Sequence, residues 1–264
     1  MSFAIEQRPK LKKNMIYGNI MFTYDSLMSN VPDDIAVGIG RGSDKGNVER
    51  SASAFDNVII YDDPSELTDD LKSGAIDAAV RGDMSSSKLL PVIKERFGLN
   101  EIQRTVLLEP AGRKMIFLAP VGIDEGWTVP QKYELATRSV DLMRRLGMNE
   151  RIAVMSGGRE DDKGRNETVD RTIDDASELV KKLRSEGYDA YDAEILIESA
   201  ADEADLLIAP DGISGNLIFR TLHFMGSAKA LGAPVINMNK VFVDTSRVKT
   251  DYRDSIALAV RLTR

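Results

Sequence analysis

The amino-acid sequence predicts an α/β protein with a largely parallel sheet covered by helices on both faces. Two observations carry that expectation. Short β-branched runs alternate with helix-period segments from about residue 35 to the end, which is the pattern of strand–helix crossover units. Three of the later runs also open into loops rich in small and polar residues, as at the carboxyl ends of strands in open α/β sheets.

Taken in order, Ile35-Ala36-Val37-Gly38-Ile39 reads as a buried strand, followed by the loop Gly40-Arg41-Gly42 and a polar helix. Asn57-Val58-Ile59-Ile60-Tyr61 is a second strand, with a helix near 64–73. Ile76-Asp77-Ala78-Ala79-Val80 is a third, with a helix over about 86–97. The apolar runs 104–109 and 114–119 lie close enough for an antiparallel pair. Residues 130–147 form a helix closed by Gly147, a residue suited to the left-handed turn after a helix end. A strand at 152–155 follows. Val169, Ile173, Ala176, Val180 and Leu183 then recur at helical spacing, predicting an amphipathic helix over 167–185. A further helix is expected at 191–201. Strands at 205–209 and 234–236 flank a helix at 214–230, and the chain ends with a strand at 241–243 and a helix at 251–262.

The chain has 264 residues, enough for one large domain or two small ones with a substantial core. Hydrophobic residues make up 42% and charged residues 29%, a globular balance. A net charge of −7 argues against a nucleic-acid binder, and the basic run Arg8-Pro9-Lys10-Leu11-Lys12-Lys13 reads as a solvated face. With no cysteine there are no disulfides, thiolate metal sites or cysteine nucleophile, and the single histidine, His223, removes any two-histidine metal motif. No apolar run is long enough for a signal peptide or a bilayer span, so a cytoplasmic protein with no membrane partner is expected.

Candidate chemistry sits where strands end. Ser156-Gly157-Gly158-Arg159 follows one strand, Asp211-Gly212-Ile213-Ser214-Gly215-Asn216 opens a helix after another, and Asp244-Thr245-Ser246-Arg247 follows the last. Small residues there let backbone N–H groups approach an anion, and arginine adds paired hydrogen bonds to phosphate or carboxylate. Arg247 is the main candidate anchor, with a surface ion pair to Asp251 or Asp254 as its structural alternative. Asp211-Gly212 is also turn chemistry and Ser214 also a helix cap. Arg41 suits either an anion contact or a surface role. Asp161-Asp162 reads as a solvated acidic loop before a divalent-cation site, and no metal is expected. His223, beside Phe224 and Met225, reads as a partly buried structural residue.

These residues resemble a known family. The segments 211–220 and 226–234, with Asp244-Thr245-Ser246-Arg247, Ser156 and Gly74-Ala75-Ile76-Asp77, are similar to the phosphate acetyl/butyryltransferases over about 35–264. The whole chain is further similar to a methanogenesis-associated branch of methane-producing archaea that carries a methyltransferase-subunit label. The resemblance implies the phosphate acyltransferase and isocitrate dehydrogenase-like fold: two lobes around a cleft, one formed by 1–105 and 243–264 and the other by 106–242. It implies a transferase for an anionic small molecule bearing phosphate or coenzyme A. Ser246 and Arg247 would be catalytic, with Ser85, Ser86, Arg41, Ser156, Gly157, Gly158, Asp211, Gly215 and Asn216 binding the ligand. A homodimer and methyltransferase subunits are the implied protein partners. A methyltransferase component or a non-catalytic ligand sensor is the alternative.

The chain departs from the family in three places. Leu90, in Ser85-Ser86-Ser87-Lys88-Leu89-Leu90-Pro91, takes the position of an arginine that would clamp phosphate, Val248 stands for the glycine after Ser-Arg, and the downstream aspartate is Asp254 or Asp251. Weak acyl transfer to phosphate is therefore expected.

Overall fold

The computed structural model describes residues 22–29, 31–43, 46–246 and 248–264, so the basic run at 8–13 and Arg247 lie outside the described residues. The first half contains α1 (Tyr24–Met28), β1 (Val37–Gly40), α2 (Asn47–Ala52), β2 (Val58–Tyr61), α3 (Pro64–Ser73), β3 (Ala78–Val80) and α4 (Ser86–Phe97). Next come β4 (Val106–Glu109), β5 (Ile116–Ala119), α5 (Val129–Arg145), β6 (Ile152–Met155), α6 (Glu167–Ser185), β7 (Ala190–Glu194) and α7 (Ile197–Glu203). The chain closes with β8 (Leu206–Ile208), α8 (Gly212–Arg220), β9 (Lys229–Pro234), β10 (Val241–Asp244) and α9 (Arg253–Leu262).

Local chemistry explains most of these boundaries. Asp63 caps α3 by accepting from Ser65 and Glu66 amides, Pro64 opens its first turn, and Gly74 leaves it at φ 84°. Thr128 and Gln131 form a capping box at the start of α5. In α6 the buried positions Ile173, Ala176, Leu179, Val180 and Leu183 form a single stripe, as their spacing predicts.

The strands form one ten-stranded sheet in the order β2-β1-β3-β10-β9-β4-β5-β8-β6-β7. Its two wings are each parallel: β2-β1-β3-β10 on one side, β5-β8-β6-β7 on the other. Between them, β10 to β9, β9 to β4 and β4 to β5 are all antiparallel. Three successive reversals leave the two wings running in opposite directions, so their strand carboxyl ends point to opposite edges. Pairing between β4 and β9 also slips between Leu107 and Leu108, a bulge at the centre of the sheet.

The two faces are covered differently. On one face a single core runs across both wings, joining Ile39, Val80 and Val243 to Leu107, Phe117, Val154 and Ile208 beneath α5, α6 and α9. Helix α9 packs on β1, β3, β9, β10 and α1. The other face carries two separate cores. One lies under α3 and α4, with Tyr61, Leu67, Leu71, Leu89 and Phe242. The second lies under α7 and α8, with Val106, Leu118, Ala153, Ala200 and Leu207.

Three local expectations differ from the structure. The helix expected at 214–230 ends at Arg220, passes through a π turn over Thr221–Met225, and gives way to β9. Lys229 to Pro234 has little intrinsic strand preference; its conformation comes from hydrogen bonding to β4 and β10 on either side. The strand expected at 234–236 is therefore shifted towards the N-terminus, with Val235 making only an isolated bridge to Arg104. The segment expected as helix at 191–201 starts as edge strand β7, because pairing with β6 outweighs its helix-favouring alanines, and becomes helical only from Ile197.

Candidate active-site cavity

The gap between the two cores of the divided face is a cavity of about 860 Å³, within the usual range for small-molecule sites. Its floor is the antiparallel centre of the sheet, including Val106, Gly232 and Ala233. Gly232 adopts φ 144°, and a Cβ there would stand 2.4 Å from Val243 Cγ1, so the bulged floor requires glycine.

A buried charge network closes one end. The Arg81 guanidinium donates to Asp244 Oδ1 and, at 2.8 Å, to the Met84 carbonyl. Arg104 donates from its second arm to Asp244 Oδ2 at 2.8 Å and from Nε to Glu125 Oε1 at 2.7 Å. Thr245 N donates to Asp244 Oδ1 at 2.9 Å, and Thr245 Oγ1 to the Gly82 carbonyl at 2.6 Å. Burial works to push the Asp244 carboxyl up, but the Arg81 and Arg104 guanidiniums outweigh it and hold it below its ordinary value. Burial raises Glu125 despite Arg104. The two arginines are thus fixed and neutralised locally, each by carboxylates on other elements.

The α4 end supplies Ser86 from a first turn whose cap residue, Ser85, makes no side-chain capping bond; Ser85 Oγ instead meets Ser87 Oγ at 2.9 Å. Amides at such an end favour an anion. Leu90, at the position where the similar family has arginine, is half-buried against the core beneath α3 and α4.

The opposite wall is α8 and the π turn. Asp211 caps α8, accepting from Ser214 N at 2.8 Å. A Cβ on Gly212 or Gly215 would stand 1.8 Å from the Gly122 carbonyl oxygen or 1.9 Å from that of Pro120, so α8 lies directly on the loop after β5. Asn216 lines the cavity and donates to the Val121 carbonyl at 2.8 Å. Arg220 lies over the Phe224 ring at 5.0 Å and has no carboxylate partner among the described residues. Lys249 completes the lining, bonded to Asp254 at 2.7 Å; burial pushes that carboxyl up despite the lysine.

Of the residues singled out in sequence, Ser246, Asn216 and Ser86 therefore line one cavity. Ser85 is adjacent, while Asp211 and Gly215 shape the helix behind it. Ser156, Gly157 and Gly158 lie elsewhere. Ser156 is buried, with Oγ donating to the Gly158 carbonyl at 2.7 Å, and Gly157 N donates to Thr172 Oγ1 at 2.8 Å. They follow β6, which lies on the outer side of β8, one strand farther from the sheet centre that floors the cavity. Arg41 is held by Asp62 at 2.6 Å and Glu49 at 2.6 Å, outside the cavity lining. Asp162 accepts from Arg159 N and from Arg165 within a 3-10 turn. Among the described residues no cluster of three or more His, Asp and Glu could hold a metal. No described helix is long and apolar enough to cross a membrane.

Sequence reading passed over Arg81, Arg104, Glu125 and Arg220. The one available signal was that Arg81 follows a predicted strand, as Arg41 does. Its bond to Asp244 spans 163 residues and that of Arg104 spans 140.

Comparison with known proteins agrees with this architecture. The family model "Phosphate acetyl/butaryl transferase" matches residues 59–260. "Putative methyltransferase mtx subunit X" of Methanosarcina acetivorans is 42% identical over 219 residues, covering 83% of this chain and 78% of the relative. Among solved structures, the EutD phosphotransacetylase from Staphylococcus aureus superposes with a TM-score of 0.70 at 14% identity, covering 91% of this chain and 98% of the other. 4-hydroxythreonine-4-phosphate dehydrogenase from Klebsiella pneumoniae superposes at 0.54 with 11% identity, covering 90% and 86%. At these identities the structural likenesses establish the fold.

Proposed function

This chain belongs to the phosphate acetyl/butaryl transferase family, and from that premise we propose that its cavity binds an anionic small molecule bearing phosphate or coenzyme A, for a transfer reaction. The observation that supports this most is the convergence on one cavity of Arg81, Arg104, Arg220, Ser246 and the uncapped start of α4 in a chain of net charge −7. Arg81 and Arg104, already paired, act as rigid donors. Among the described residues, Arg220 is the lining cation without a carboxylate partner, and it would meet a ligand charge. Ser246 and Arg247 form the proposed catalytic pair; the role of Arg247 rests on its place after Ser246 in sequence. Catalysis on this reading depends on positioning and on stabilising developing negative charge.

Two measurements test it. Calorimetry with coenzyme A and with inorganic phosphate should detect binding by the wild-type protein. Arg220→Ala should weaken binding about ten- to a hundredfold, the range for a hydrogen bond to a charged group. No binding of either compound at millimolar concentration would overturn the reading. Because Leu90 replaces the clamping arginine, acetyl transfer between coenzyme A and phosphate should fall far below the ordinary enzyme range of about 1–10³ per second, and turnover within that range would overturn this expectation.

A second reading is favoured by the name of the 42%-identical relative: a subunit of a methyltransferase, which the sequence resemblance further links to methanogenesis. With no cysteine and one histidine, the chain would serve there as a partner rather than as the holder of a thiolate zinc site. Native mass spectrometry of the complex purified from source cells distinguishes a homodimer from a mixed assembly.

A further inference from the structure

The π turn over Thr221–Met225 turns the single histidine of the chain into the cavity wall. Its widened hydrogen bonds, Gly226 N to the Thr221 carbonyl at 2.9 Å and Ala228 N to that of Leu222 at 2.9 Å, bring the Ala228 carbonyl to His223 Nδ1 at 2.8 Å. A carbonyl oxygen can only accept, so Nδ1 carries the proton. In the neutral ring, Nε2 is then a bare acceptor, and it has no partner among the described residues. Aromatic neighbours hold the plane: Phe219 stacks at 5.6 Å and 16°, and Phe224 sits at 4.6 Å. Arg220, at the end of α8, lies over the neighbouring Phe224 ring. Arg81 just after β3, Arg104 just before β4, Asp244 at the end of β10 and Lys249 in the loop before α9 are the other charged groups lining the same cavity. His223 Nε2 is thus an open acceptor of this wall, beside Asn216, whose amide nitrogen is already bonded to the Val121 carbonyl.

We propose that His223 is a specificity-determining acceptor. Protonated at Nδ1, it receives through Nε2 an N–H, O–H or S–H donor of the ligand whose anionic end meets the arginines. This rests on the anionic-ligand reading above and narrows it: the preferred ligand carries a donor group beside its negative charge, as coenzyme A does and the sulfate dianion does not.

Because the chain has one histidine, nitrogen-15 NMR of the imidazole in the ligand-free protein reads its tautomer without ambiguity. The neutral ring should be the Nδ1–H tautomer, and an Nε2–H tautomer overturns the proposal whatever the ligand proves to be. Binding supplies the second arm. His223→Phe keeps the stacking and loses the acceptor, so coenzyme A affinity should fall about two- to tenfold, the worth of one neutral hydrogen bond. His223→Gln, whose amide oxygen reaches the Nε2 position, should restore it, and the affinity for sulfate, an anion with no donor, should change with neither. Equal losses for coenzyme A and sulfate, or no loss with His223→Phe, overturn the proposal. If the wild-type protein binds neither coenzyme A nor phosphate, the ligand reading fails and the tautomer alone decides the role of His223.

Discussion

The two faces of the sheet are built from the same strands and do different work. On the face beneath α5, α6 and α9, one apolar core crosses both wings without a break. On the other, two cores stop short of each other, and the space between them is the cavity. The difference lies in where the helices sit. Helix α9 packs across the antiparallel centre on the sealed face, whereas α4 and α8 flank that centre on the divided one. Charge follows the same division. The buried ion-pair network of Arg81, Asp244 and Arg104 lies at the divided face, where polar groups displace apolar contacts and create a surface a ligand can use. The continuous core lies on one side, and the proposed recognition site on the other.

The largest effect expected from this division is on the sealed side. Phe117 is fully buried in the continuous core, and Phe117→Ala should cost up to about 5 kcal/mol in urea unfolding, as for large-to-small changes in well-packed cores. A loss below about 1 kcal/mol would mean that the sealed face is not the stabilising one.

The divided face should respond less, and in a pH-dependent way. Removing one partner of a buried ion pair leaves uncompensated charge, so Asp244→Asn should cost about 3 kcal/mol near neutral pH. The Asp244 carboxyl is held below its ordinary value of 3.8 in the fold. Its contribution is therefore fully present above that value and is lost as pH falls through the lower, folded one. The stability gap between wild type and variant should be flat from neutral pH down to about pH 5 and narrow below about pH 4. Glu125 and Asp254, raised by burial, run the opposite way, but they contribute to both proteins and largely cancel in the difference. A gap that widens on acidification would contradict the assignment of Arg81 and Arg104 as the partners.

The smallest effect is expected outside both faces. Arg41 meets Asp62 and Glu49 at the exposed end of β1. Exposed pairs of this kind contribute little, so Arg41→Ala should barely move the unfolding midpoint and should leave coenzyme A affinity unchanged by calorimetry. Weakened binding would extend the site beyond the cavity and blur the division between the faces.

The sequence by itself determined what local chemistry can encode. Helix α5 was legible from its closing Gly147 and α6 from its 3.6-residue stripe, and buried strands such as β1 and β6 from β-branched runs. The motif residues Ser246 and Asn216 were legible too, since turn residues after strands mark where backbone can meet a ligand. Tertiary structure alone decided three things. It made Lys229–Pro234 a strand, because hydrogen bonds from β4 and β10 outweigh weak local preference. It set β6 on the outer side of β8, so that Ser156 lies away from the cavity that Asn216, after β8, and Ser246, after β10, share. It also joined Arg81 and Arg104 to Asp244 across 163 and 140 residues. An ion pair has no sequence period, because its energy depends on distance in space and on exclusion of water, and both exist only once the sheet has formed.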